Sequence, residues 1–188
     1  MAMGVLHRPG RGEMLLHLAR GGVLLIATML IVAAFKVMPL ADTLAIFFVM
    51  PMIVTLMGAV FLGEPVGWRR IAASIVGFGG ALLVIQPSFG ELGLTALLPL
   101  AAAVFFATYL ILTRRMGRGV NQITVQAYTG LAAVALIVPI LAIGPTIGWQ
   151  PIVPIIPQGM DWVWLLGVGI SAVVAHMLLS YAFALANI

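Results

Sequence analysis

At 188 residues, 63% of them hydrophobic and 7% charged, the chain has far more apolar side chain than a soluble core of this size can bury. Its formal charge of +4 does not point to nucleic acid, because the basic residues are few and fall in short groups between long apolar runs, the pattern of membrane topology. The absence of cysteine excludes disulfide frameworks and thiolate metal sites; His7, His17 and His176 lack metal-ligand spacing, and no phosphate-binding or other cofactor motif is present.

A helix rising ~1.5 Å per residue needs roughly 20 apolar residues to cross about 30 Å of hydrocarbon. About six stretches qualify, so the expected fold class is all-α, a polytopic transmembrane helix bundle. Residues 1–13 form a flank with Arg8 and Arg11 but no small-residue cleavage site of a signal peptide. The first span, Met14 to Met38, holds Arg20 and Lys36 toward its ends, where long basic side chains snorkel to the headgroups. Lys36 reads as such an anchor, with a substrate-anion contact at the extracytoplasmic mouth as the alternative. The second span, Ala41 to Gly63, contains Pro51 and runs into Glu64 beside Arg69 and Arg70; an interfacial charge pair is the expectation there, rather than an ion-coupling carboxylate.

The third span, Trp68 to Ile85, is glycine-rich, and the fourth, Leu92 to Thr113, carries Pro99, Thr108 and Tyr109. Tyr109 is a candidate substrate contact, with interfacial anchoring as its plainer role. The fifth span, Ile123 to Ile143, contains Pro139. Pro51, Pro99 and Pro139 each fall inside an expected helix, where a proline kinks the axis and frees a carbonyl for a hinge or a binding site, or simply bends it. A Pro-rich stretch from Gly144 to Gly159, with Trp149 and then Trp162 and Trp164 around it, reads as a loop or shallow segment at an aromatic belt. The sixth span is Asp161 to Ala186.

Orientation follows from the loops. Arg8, Arg11 and Arg20, then Arg69 and Arg70, then Arg114, Arg115 and Arg118 fall on one face, whereas the Gln86 to Glu91 turn and the Pro-rich stretch are nearly free of positive charge. The arginine face is expected to be cytoplasmic, with both termini on that side.

Within the sixth span, His176 stands among Val173, Val174, Ala175, Met177 and Leu178, a costly position for a titratable ring unless it faces a cavity or a partner. It is a candidate for substrate or proton handling, against a hydrogen-bonded packing role. Ser180, one turn on and about 40° around the helix, shares its face; Tyr181, about 140° around, does not. The same arithmetic disfavours an intramembrane hydrolase: Ser171 and His176 lie about 140° apart, and no nucleophile turn accompanies them. The residues from Ala34 to Leu40 also match those from Ala182 to Ile188 in class. The matched segments end helices an odd number of spans apart, which is the arrangement of inverted-topology repeats.

The stretch from Ala33 through Asp42 and Thr43, Pro51 in the following helix, the Phe61-Leu62-Gly63-Glu64-Pro65 sequence, Arg69-Arg70 and the helix from Gly77 to Ile85 together resemble the drug/metabolite transporter superfamily, in particular its EamA-type members. The resemblance implies a ten-helix fold of two inverted five-helix repeats. Residues 14–86 would then be the last three helices of the first repeat, and residues 92–188 the first three of the second. It implies no enzyme and no cofactor, but a secondary transporter of small metabolites or drug-like compounds in a bacterial inner membrane, working by rocking of one repeat against the other. This chain would be a fragment of that fold, and dimer formation is the expected compensation. The implied path lies between the first, second, fourth and sixth spans, with His176, Ser180, Tyr109 and Lys36 as substrate-facing candidates. A bundle with only an assembly role is the alternative, and it would need no polar interior.

Overall fold

The computed structural model describes residues 10–85, 93–116, 122–147 and 156–185. The expected Gln86 to Glu91 turn, Arg8, Arg118, Trp149, Pro151, Pro154 and the matched end from Ala186 to Ile188 lie outside the described residues. All regular structure among the described residues is helical. Helix α1 spans Arg11–Val37, α2 Leu40–Phe47, α3 Met50–Leu62 and α4 Trp68–Ile85; a 3₁₀ turn, Gly93–Ala96, leads into α5, Leu97–Arg115. Helix α6, Gln122–Ile143, runs into a second 3₁₀ turn, Gly144–Ile147, and α7 covers Asp161–Leu185.

Among the described residues, five segments are long and apolar enough to cross a membrane: Arg11–Val37, Leu40–Leu62, Gly93–Arg115, Ile123–Ile143 and Asp161–Ala182. The remaining expected span forms as α4 over the expected residues, with Arg69 and Arg70 in its first turn. The chain is therefore a polytopic helical membrane bundle.

The second span is not one continuous helix. Pro51 has no N–H to give to the carbonyl four residues back, so α2 stops at Phe47 and α3 restarts at Met50 with Pro51 in its first turn. Shorter-range bonds bridge the break: Val49 N–H donates to the Ile46 carbonyl at 3.1 Å and Met52 N–H to the Val49 carbonyl at 3.0 Å. Pro99 likewise stands in the first turn of α5, where a missing N–H costs nothing. Of the three prolines, Pro139 alone sits in a helix interior.

Packing divides the chain into two compact units, residues 23–115 and residues 1–22 with 116–188. In the first, Ala34 and Met38 at the end of α1 are buried against Ile46, Ala96 and Leu98, and α3 packs chiefly on α5. Pro39 caps α2, its carbonyl accepting from both the backbone and the hydroxyl of Thr43. In the second unit the start of α1 lies against α6. Gly21 permits this approach: a methyl group there would stand 2.8 Å from Ala132 Cβ and 2.9 Å from the Thr129 carbonyl oxygen. Small residues at such points are what let membrane helices touch, since lipid supplies no hydrophobic push between them.

Candidate functional site

The close approach at Gly21 sets the neighbouring arginine deep in the second unit. Arg20 is 0% exposed. Its Nη1 donates to Thr129 Oγ1 on α6 at 2.8 Å and to the Met116 sulfur at 3.4 Å. The Thr129 hydroxyl passes its own proton to the Val125 carbonyl at 2.7 Å, so its lone pairs face the guanidinium. The sequence had suggested a snorkelling flank charge here. Arg20 instead turns inward, because Thr129 offers an acceptor where the two helices are too close for lipid to enter.

One turn before Arg20, His17 is also buried, its ring tilted 30° against Tyr128 of α6 with centroids 5.4 Å apart. His17 Nδ1 and Gln126 Oε1 are buried without hydrogen-bond partners among the described residues. Two nominated residues join this unit from α7. Ser180 is buried, His176 is half-buried, and His176 lies within electrostatic reach of Arg20. Their one-turn spacing gives the shared inward face expected of them. Ser171 on the same helix is exposed.

Tyr109 and Lys36 belong to the other unit. Tyr109 is buried with its ring 5.6 Å from Phe106, which in turn packs edge-on against Phe47 at 5.9 Å. Lys36 is exposed in the last turn of α1, as a snorkelling side chain would be. Thr108 is satisfied within its own helix, donating to the Val104 carbonyl.

This unit also holds an ionic cluster. Gly63, in a left-handed conformation (φ 67°), ends α3 and turns Glu64 back over it. Arg114 Nη1 donates to both carboxylate oxygens, at 3.1 and 3.0 Å, and Arg70 approaches at 3.6 Å. Room for the carboxylate comes from Gly58, where a methyl group would stand 2.9 Å from Glu64 Oε2. The expected interfacial charge pair thus exists with Arg70; Arg114 is its closer partner, while Arg69 lies over the Trp68 ring instead. A cavity of about 310 Å³ adjoins the cluster, lined by Met50, Pro51, Val54, Thr55, Arg70, Leu110 and Arg114.

A guanidinium buried beside a hydroxyl on largely apolar helices is expensive to hold. Residues 5–86 match the EamA-like transporter family. The chain is 28% identical over 150 residues to the riboflavin transporter of Vibrio cholerae, covering 79% of this chain and 47% of the relative. It is 26% identical over 148 residues to the pseudopaline exporter of Pseudomonas aeruginosa, covering 78% and 49% respectively. Against the S-adenosylmethionine uptake transporter of Rickettsia bellii the identity is 23% over 126 residues, covering 67% and 43%. No solved structure matches. The stretch from residue 5 to residue 86 is thus similar to EamA-like transporters, and the longer matches are all to membrane transporters. It spans about half the length of the curated relatives it matches.

Proposed function

We propose that this chain forms part of a secondary transporter that carries small metabolites or drug-like compounds across a bacterial inner membrane by alternating access, and that it is not an enzyme. The observation that carries this reading is the buried set of Arg20, His17, Thr129 and Ser180 on helices that are otherwise apolar. Arg20 offers its positive charge to a carboxylate, phosphate or enolate-like oxygen of the solute. His17, Gln126, His176 and Ser180 supply neutral donors and acceptors around it. Riboflavin and S-adenosylmethionine, named for relatives of this chain, are the first solutes to try.

The match to the family ends at residue 86, which agrees with residues 14–86 closing a first repeat and residues 92–188 opening a second. Pro51, at the break between α2 and α3, and Pro139, inside α6, are the hinge positions of this reading; Pro99 serves as a helix start. The arginine-bearing ends face the cytoplasm, with both termini, by the positive-inside rule. Assembly of two copies belongs to the same reading: over residues 161–175, α7 is exposed around its whole circumference, and a second copy is one source of cover. Lys36 serves as an exposed anchor and Tyr109 as a buried packing residue.

Equilibrium binding of labelled riboflavin and S-adenosylmethionine to the purified protein tests the site. Arg20→Met should weaken binding of an accepted solute at least about tenfold, the loss of one charge-assisted hydrogen bond, while leaving the protein folded and in the membrane. Equal binding by wild type and Arg20→Met would overturn the assignment.

A further inference from the structure

The outer side of α3 and α4 carries a feature that the solute site does not use. An apolar groove of about 390 Å³ runs between the two helices, floored by Met52, Ile53, Leu56 and Ala59 from α3 and by Ile71 and Ser74 from α4, with Val66 of the connecting loop. From Met52 to Ala59 it extends ~10 Å along the helix axis. Its loop end meets a concentration of positive charge. Four arginines, Arg69, Arg70, Arg114 and Arg115, stand there with Glu64 as the carboxylate among them.

Glu64 is taken up mainly by Arg114, the half-buried member. The Arg70 side chain remains 41% exposed, at 3.6 Å from the carboxylate, and Arg69 is held over the face of Trp68 at 5.8 Å. Trp68 itself is exposed, as an aromatic ring at headgroup depth would be. Two exposed arginines, one of them held over an aromatic ring, thus immediately precede Ile71, the first α4 residue of the apolar groove.

We propose that this surface binds an anionic phospholipid, its phosphate and headgroup on Arg69 and Arg70 and one acyl chain in the α3–α4 groove. Charge complementarity selects the occupant: a zwitterionic lipid fills the groove equally well but brings no net negative charge to the arginine pair. Each arginine at an anionic surface is worth roughly fivefold in affinity, so the pair favours phosphatidylglycerol over phosphatidylcholine on the order of tenfold or more. The preference does not depend on whether the chain transports anything.

Trp68 provides the readout. The chain has four tryptophans, and replacing Trp149, Trp162 and Trp164 with phenylalanine leaves Trp68 as the fluorophore. The protein is reconstituted in phosphatidylcholine vesicles containing increasing fractions of brominated-acyl phosphatidylglycerol or, in parallel, brominated-acyl phosphatidylcholine. Phosphatidylglycerol should quench Trp68 at much lower mole fraction. The difference should vanish in Arg69→Gln/Arg70→Gln and shrink at high salt, and Ala59→Phe, which fills the groove, should reduce quenching by the brominated chain. Equal quenching by the two lipids, a preference that survives both arginine substitutions, or full displacement of the lipid by inorganic phosphate would each overturn the proposal.

Discussion

Replacing Gly21 with alanine adds one methyl group at the place where α1 and α6 touch. That carbon would meet Ala132 Cβ at 2.8 Å, the Ala133 backbone nitrogen at 2.9 Å and the Thr129 carbonyl oxygen at 2.9 Å. Two of these are backbone atoms and cannot swing aside. Carbon atoms settle at about 3.5–4.0 Å, so the helices must separate by ~1 Å at this level. The bond from Arg20 to Thr129, now 2.8 Å, would then pass beyond useful hydrogen-bond length. Overpacking costs about 1–3 kcal/mol and the lost charged hydrogen bond about 1.5–3 kcal/mol, while alanine recovers about 1 kcal/mol of helix propensity. The expected net loss is about 1.5–5 kcal/mol. Gly22 supplies the control, since a methyl group there meets the flexible tip of Leu136 at an ordinary 3.5 Å. Gly22→Ala should therefore be neutral or slightly stabilising by the same propensity gain. Thermal and denaturant unfolding of the purified proteins in detergent compares the two. If both alanines behave alike, the contact between α1 and α6 described here is wrong, and the burial of Arg20 with it.

Glu64→Gln should destabilise residues 23–115 by about 1–3 kcal/mol, because it leaves the half-buried Arg114 without its full countercharge. In a double-mutant cycle with Arg114→Met, read by unfolding, coupling above about 0.5 kcal/mol is expected, and additivity would refute the pairing. The chain has no cysteine, and Gly167 on α7 has open space around its Cα, so Gly167→Cys is a clean reporter of self-association. Oxidation in membranes should give disulfide-linked dimers if two copies meet along α7, and a monomer band at all oxidant levels would refute that.

Hydropathy alone located the helices, since each span is a run of apolar residues whose length the bilayer fixes. Pro51 announced an interruption in its span, although the break at Phe48 and Val49 depends on how the chain reforms its hydrogen bonds around the missing donor. Sequence reasoning read Arg20 as a flank charge because a window average registers only that an arginine lies near the start of an apolar run. Its acceptor, Thr129, is 109 residues away, and no local pattern reveals it. The legible signal was the His17, Arg20, Gly21, Gly22 grouping: two polar residues one turn apart, followed by two small ones, on a largely apolar helix. Glu64 shows the same limit in milder form, for Arg70 was visible as a near neighbour in sequence, whereas Arg114 comes from a helix 50 residues on. His176 and Ser180 were legible because helical periodicity puts both on one face, and that face is the one α7 buries.

The central claim, that a solute crosses the bilayer by way of Arg20, is tested most directly by uptake of labelled riboflavin and other small metabolites into proteoliposomes, comparing wild type with Arg20→Met at equal protein density. Saturable uptake of at least one solute by wild type, abolished in Arg20→Met while Lys36→Gln retains it, is the predicted result. Saturable uptake that persists undiminished in Arg20→Met would contradict the account.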